Sequence, residues 1–276
     1  MPAELRVSLW NVIEPWLWEG HYAGSYEKRA RWIYNFHAIR WPTNEIPHES
    51  MTHDATDRLN YWFMSEASCD DIYDFIEGIP EMVYYEFHVV DHDLDELRRR
   101  SESIYRDAMR LIETFVHDAN KMLEREGSPY RFFNNLLVPI TEEAEIEEVK
   151  AAVSGVDQFA VARDCIAAAL KHLGARPPAY ADCIKQSISA IESALKIAVG
   201  DKKPKMAALL SKFETKYGAI HPSLRAAIDK LYGYASDEHG VRHGATEAVS
   251  VGEAEARAML VTCSALMNFL IRKAAK

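Results

Sequence analysis

The sequence is poor in cysteine, has no nucleotide-binding or hydrolase fingerprint, contains no long apolar run and carries no excess of basic charge. Its four cysteines, Cys69, Cys165, Cys183 and Cys263, make no C-x-x-C and no close pair. They read as thiols of a reducing compartment rather than as a disulfide framework. P-loop, G-x-G-x-x-G and G-x-S-x-G patterns are all absent, which sets aside nucleotide-driven motors, dinucleotide enzymes and α/β-hydrolases. The opening MPAELRVSLW has no basic stretch ahead of an apolar one, so no signal peptide is read. The most apolar run, Ala258–Ile271, is 14 residues long, short of the roughly 20 that span a bilayer. A cytoplasmic protein with no membrane partner is expected. With 32 Lys+Arg against 42 Asp+Glu, the formal charge of −10 argues against a chain that coats nucleic acid indiscriminately.

What is present is ordinary globular material, 276 residues with 48% apolar side chains. The charge is uneven. Residues 1–150 sum to −15 and residues 151–276 to +5, and all six Trp lie in the first 62 positions. Two regions are therefore expected: an acidic, Trp-rich helical region over 1–155 and a helical bundle over 156–276, divided near Ser154-Gly155.

Most segments carry helical periodicity. Helices are expected at Glu4–Trp18 (interrupted by Pro15), Tyr26–Arg40, Asp54–Glu66, Cys69–Glu77 (ending near Gly78 and Pro80) and Leu94–Glu126. The last of these carries an apolar stripe through Ile104, Ala108, Leu111, Phe115, Ala119 and Met122. Trp41–Ser50 reads as a loop. Tyr130–Ile140 is the one hairpin candidate, because Asn134-Asn135 tolerates the positive φ of a two-residue turn. Thr141 then suits an N-cap, with Glu142, Glu143 and Glu145 in the first turn. Beyond the boundary, helices are expected at 157–173, 179–199, 203–217, 222–234 and 252–273. In the second of them Ile184, Ile188, Ile191 and Leu195 form a buried stripe. Lys185, Ser189, Glu192 and Lys196 repeat that spacing one residue on, so a polar stripe lies about 100° around the helix. The fold class is all-α, with one small β-hairpin.

The segment Tyr232–Thr246, YGYASDEHGVRHGAT, concentrates chemistry: Asp237, Glu238, His239, Arg242 and His243 between two helices, with Gly240 and Gly244 permitting unusual backbone angles. A His beside an Arg is what metal-free RNA cleavage needs. The imidazole can move the 2′-hydroxyl or leaving-group proton, and the guanidinium can hold the charge that builds on phosphorus. The polar stripe could face this loop, with Glu192 orienting a ring, Lys185 or Lys196 gripping a phosphate, and Ser189 and His239 completing an RNA-binding surface. The plainer reading is a connecting loop whose His and Arg cap helix ends. His239/His243 and His88/His92 have i, i+4 spacing, which suits two metal ligands only on a helix. No metal and no cofactor are called. Arg31/His37 and Arg110/His117 read as exposed helical faces. Arg98–Arg100 are offset by neighbouring acids, a solvated helix start.

Several segments in this order resemble a known family: LRVSLWNVI (Leu5–Ile13), YWFMSEASCDDIYDFIE (Tyr61–Glu77), LEREGSPYRFFNNLLVPITEEAEI (Leu123–Ile146), PAYADCIKQSISAIESALK (Pro178–Lys196), LYGYASDEHGVRHG (Leu231–Gly244) and AEARAMLVTCSALMNFL (Ala254–Leu270). Jointly they are similar to the fourth subtype of the AbiJ N-terminal domain group of bacterial abortive-infection proteins, within the HEPN superfamily of helical bundles. The resemblance implies phage defence, dimerisation and, for many HEPN domains, metal-independent endoribonuclease activity, other members being silent partners or sensors. Active members carry an Arg, four to six residues, then His, before the last bundle helix. Here Arg242 and His243 are adjacent, a departure from that spacing. The resemblance assigns the catalytic roles to Arg242 and His243, with Glu192 in support. It leaves a second possibility, a non-catalytic sensor that binds a phage product or a partner protein through the Trp-rich region.

Overall fold

Local sequence chemistry accounts for most of the element boundaries in the computed structural model, which describes residues 1–18, 57, 59–88, 94–154, 157–201, 205–236 and 251–275. The helices expected at Tyr26–Arg40 and in the first part of Asp54–Glu66, and the loop Trp41–Ser50, lie outside the described residues. The chain is all-α with one two-stranded antiparallel sheet. It divides into two units, Met1–Leu137 and Val138–Lys276.

In the first unit, α1 (Ala3–Trp18) runs through Pro15 instead of breaking there. A helix-interior proline costs about 3 kcal/mol, and the burial of Ile13 and Leu17 on either side of it offsets that cost. A π-helical turn, Trp62–Glu66, closes when the Ala67 N–H donates to the Trp62 carbonyl at 2.8 Å. Ser68 then caps α2 (Cys69–His88) reciprocally: Asp71 N–H donates to Ser68 Oγ at 3.1 Å, and Ser68 N–H donates to Asp71 Oδ2 at 3.1 Å. The expected stop near Gly78 and Pro80 does not occur, and α2 continues to His88. Ile76, Ile79, Met82 and Val83 are buried on both sides of that pair, so core packing outweighs two helix breakers.

The long helix α3 (Leu94–Arg125) buries Ala108, Phe115 and Ala119 of its expected stripe, whereas Ile112 and Leu123 take the other core places and Leu111 and Met122, each one position earlier, are only partly buried. Arg110 and His117 stand exposed on it. The core around it is aromatic: Trp10 packs on Phe63 with ring centroids 5.3 Å apart, Trp16 on Phe115 at 5.4 Å, and Trp62 on Phe75 at 5.8 Å. Such pairs add about 0.5–1.5 kcal/mol each beyond their buried area. Arg6 ties α1 to the π turn, donating from Nη1 to the Phe63 carbonyl and from Nη2 to the Ala67 carbonyl, both at 2.7 Å. The hairpin follows, β1 (Arg131–Phe133) and β2 (Leu136–Val138). Asn134 and Asn135 have φ of 47° and 63°, the pair of positive angles that a primed turn requires. Asn120 on α3 satisfies both backbone groups of Phe132, which it binds through Oδ1 at 2.6 Å and Nδ2 at 3.1 Å.

The second unit opens with α4 (Glu143–Val153). Its N-cap residue is Glu142, with no side-chain cap bond, rather than the expected Thr141; the acids of the first turn favour the helix start through its dipole. A 3-10 turn (Asp157–Phe159) leads into α5 (Ala160–Gly174), then α6 (Tyr180–Val199), α7 (Met206–Tyr217), α8 (Pro222–Ser236) and α9 (Glu253–Ala274). Helix α6 is central: Ile184, Ile188, Ile191 and Leu195 are all buried. Gly200, at φ 75°, ends it by returning its N–H to the Lys196 carbonyl at 3.0 Å. The Ala198 carbonyl there accepts from Lys216 Nζ and from the Tyr217 hydroxyl, each at 2.8 Å, anchoring α7. Helix α9 is long and apolar enough to cross a membrane by length and composition. Its apolar residues Met259, Leu260, Cys263, Met267 and Leu270 are buried inside this unit, which accounts for their character without a bilayer.

Candidate functional site

Helices α6 and α9 lie side by side and run in the same direction. The Cys183 thiol donates to the Ala256 carbonyl at 3.7 Å, and one turn earlier burial and then the Glu253 carboxylate raise the Tyr180 phenol above its ordinary value. Cys183 and Ala256 are each the fourth residue of their helix, so the two helix starts meet. The N-terminal ends of α6 and α9 are thus together, and the segment between α8 and α9 rejoins the fold at that end. Gly252 starts α9, with its N–H donating to Glu255 Oε2 at 3.1 Å.

The polar strip expected on α6 exists, at half-buried positions. Lys185 Nζ lies 3.2 Å from Asp182 Oδ1, one turn back on the same helix. Ser189 Oγ donates to the Lys185 carbonyl at 2.8 Å. Lys196 Nζ lies 2.7 Å from Glu192 Oε1. Lys185 and Lys196 are eleven residues apart, about 16 Å along the axis at the α-helical rise. They can therefore serve neighbouring groups of an extended polyanion but not one phosphate together. Arg242, His243 and His239, the other residues assigned by sequence, lie outside the described residues, as do Asp237, Glu238, Arg31, His37 and His92.

The reading from sequence overlooked a thiol beside this strip. Burial raises the Cys165 thiol on α5, the Ser193 hydroxyl pulls it back, and the Asp164 and Glu192 carboxylates push it up further. Glu192 therefore sits at the α5–α6 seam, and the nearby thiol stays protonated at neutral pH. Nothing in the local sequence announces this cluster, because the partners are on different helices.

A cleft of about 510 Å³ lies elsewhere in the same unit, between α7 and α8. Leu210 and Ile220 line it, together with Glu214, Arg225 and Asp229. Arg225 bridges its walls, with Nε 3.0 Å from Glu214 Oε2 and Nη2 donating to Ser211 Oγ at 2.9 Å. None of the α6 strip residues lines it. Among the described residues no three His, Cys, Asp or Glu side chains converge on a point where a metal ion could sit.

The geometry defines an all-helical protein of two units, one aromatic and closed by a hairpin, the other built around the parallel pair α6 and α9. Residues 1–154 match the sequence model of AbiJ N-terminal domain 4, and the chain belongs to that family. Membership ties it to abortive-infection defence. No curated protein matches the chain, and no solved structure does. The matched region ends at the close of α4, where the sequence sets its own division of the chain, whereas the compact units divide at Leu137/Val138.

Proposed function

We propose that this chain is a bacterial anti-phage protein whose C-terminal unit is a HEPN-like bundle that cleaves RNA without a metal ion. The Trp-rich N-terminal region takes the trigger, a phage product or partner protein. The observation that carries the reading is the α6 strip: Lys185, Ser189, Glu192 and Lys196 share one half-buried face, on the helix whose start meets the start of α9. The Arg242-His243 segment is tied in sequence to that same end.

In this reading His243 takes the proton from a ribose 2′-hydroxyl. The 2′-oxygen bonds to phosphorus, and the bond to the 5′-oxygen breaks. An imidazolium returns a proton to that leaving oxygen, so a 2′,3′-cyclic phosphate and a free 5′-hydroxyl remain. Arg242 holds the equatorial oxygens as charge builds. Glu192 orients the guanidinium or ring while pairing with Lys196, and Lys185, Ser189, Lys196 and His239 line the strand. Two copies of the chain acting as a homodimer in the cytoplasm would bring two such sets into one cleft, where modest positive patches add.

One observation favours the second reading, a catalytically silent sensor or interaction module. Asp182 and Glu192 match Lys185 and Lys196 in charge along the strip, so the strip on its own adds no net cation for a phosphate backbone. Expression of wild type beside an Arg242→Ala/His243→Ala variant, scored for growth arrest and RNA integrity after phage challenge, separates the two. Ribonuclease action predicts arrest with degraded RNA in wild type alone. Equal protection by both proteins with intact RNA establishes the silent module.

A further inference from the structure

The family segment ends directly after α4, yet α4 is packed inside the C-terminal unit, where its Val149 and Ala152 are buried. Two polar links bind it to α9. Arg257 Nε and Nη2 both donate to Glu145 Oε2, at 2.8 and 2.6 Å. Asn268 Nδ2 donates to the Glu148 carbonyl oxygen at 3.0 Å and to Glu148 Oε2 at 2.9 Å. Glu145 and Glu148 are three residues apart on α4, but Arg257 and Asn268 are eleven apart on α9. The links therefore reach points about 16 Å apart along α9, which fixes the crossing direction of the two helices as well as their separation. Buried Asn268 would lose a charged acceptor if α4 left. Arg257, five residues past Gly252, holds the opening turns of α9.

We propose that α4 is a coupling helix: the last element of the family segment completes the C-terminal bundle through Glu145–Arg257 and Glu148–Asn268, and the state of the N-terminal region reaches the bundle through it. This rests on the reading in which the N-terminal region takes the trigger and the C-terminal unit responds. Four residues, 139–142, separate β2 from α4, so the proposed route runs along the chain from the hairpin to α4 and across its two links to α9. A bundle helix supplied by the preceding domain has a sequence consequence too. A cut at residue 154 separates α4 from its partner.

The test uses the full chain and charge exchange: Glu145→Arg, Arg257→Glu, and both together. Three readouts are taken: hydrogen exchange of the α4 amides, tryptophan-detected unfolding (all six Trp lie in the first 62 positions), and phage plating. Each single variant is expected to lose α4 protection and to weaken phage restriction at least about tenfold, the size of an ordinary coupling energy. The tryptophan-detected transition should stay in place, and the double variant should recover both lost properties. Should a charge reversal unfold the whole chain, Glu145→Gln and Asn268→Leu provide the gentler version of the same comparison. Restriction unchanged after α4 protection is lost would overturn the coupling role, as would α4 protection that ignores these substitutions. Exchange reads α4 and plating reads restriction whatever its chemistry, so a chain that restricts phage without cutting RNA defeats the ribonuclease reading and leaves this inference standing.

Discussion

Lys196 Nζ stands 2.7 Å from Glu192 Oε1, one turn along the same helix, with 30% and 18% of the two side chains exposed. The acid proposed to orient the catalytic pair is thus already engaged with a cation. An i, i+4 pair of this kind contributes about 0.2–0.5 kcal/mol, so Glu192→Gln should scarcely change thermal stability. RNA cleavage by the purified variant should nonetheless fall, by about tenfold if the carboxylate orients a proton-transfer group. A cleavage rate that follows stability alone would remove Glu192 from the site.

Arg6 makes a sharper prediction for stability. Its guanidinium donates to two carbonyls that bracket the π turn, those of Phe63 and Ala67, and Arg6→Ala leaves both without that donor. The loss should be about 2–3 kcal/mol, in the range for charge-assisted bonds. Urea unfolding followed by tryptophan fluorescence reads it directly, because the tryptophans report on the N-terminal region.

The thiols should separate by alkylation. Cys69 is exposed, whereas Cys183 and Cys263 are buried. Burial pushes the Cys183 thiol up to about 12 and raises Cys263 as well. Since only the thiolate reacts, iodoacetamide at mildly alkaline pH should label Cys69 first. Cys183 and Cys263 should react only once the C-terminal unit opens, as intact-mass spectrometry would show.

Glu126 provides the pH test. A hydrogen bond from Arg125, joined by one from Ser8, lowers its carboxyl below the ordinary value. A carboxyl lowered by folding adds stability that is present above its unfolded value and is lost as pH falls through the folded one. The gap in thermal midpoint between wild type and Glu126→Gln should therefore be open at neutral pH. It should close on acidification below the ordinary 4.5. A gap that persists in acid would assign the effect to shape rather than charge.

Periodicity and turn chemistry carried most of the fold. Ile184, Ile188, Ile191 and Leu195 marked the buried face of α6, and Asn134-Asn135 marked the hairpin, because in both places local preference and tertiary packing agree. Pro15, Gly78 and Pro80 misled for the opposite reason: local rules end a helix there, and buried neighbours such as Leu17 and Ile79 keep it going. The strip on α6 could be read from spacing alone, since its members share one helix. The Glu145–Arg257 link joins residues 112 positions apart, and the Cys165–Ser193 contact joins different helices. Neither leaves a trace in local sequence.

The most direct test is cleavage of a defined RNA by the purified full-length protein in excess EDTA, with the 3′ ends of the fragments identified by mass. Wild type should release fragments ending in 2′,3′-cyclic phosphate, and folded His243→Ala should release none. Fragments with 3′-hydroxyl ends, activity that returns only with added metal, or undiminished cutting by His243→Ala would each contradict a metal-free imidazole mechanism in this chain.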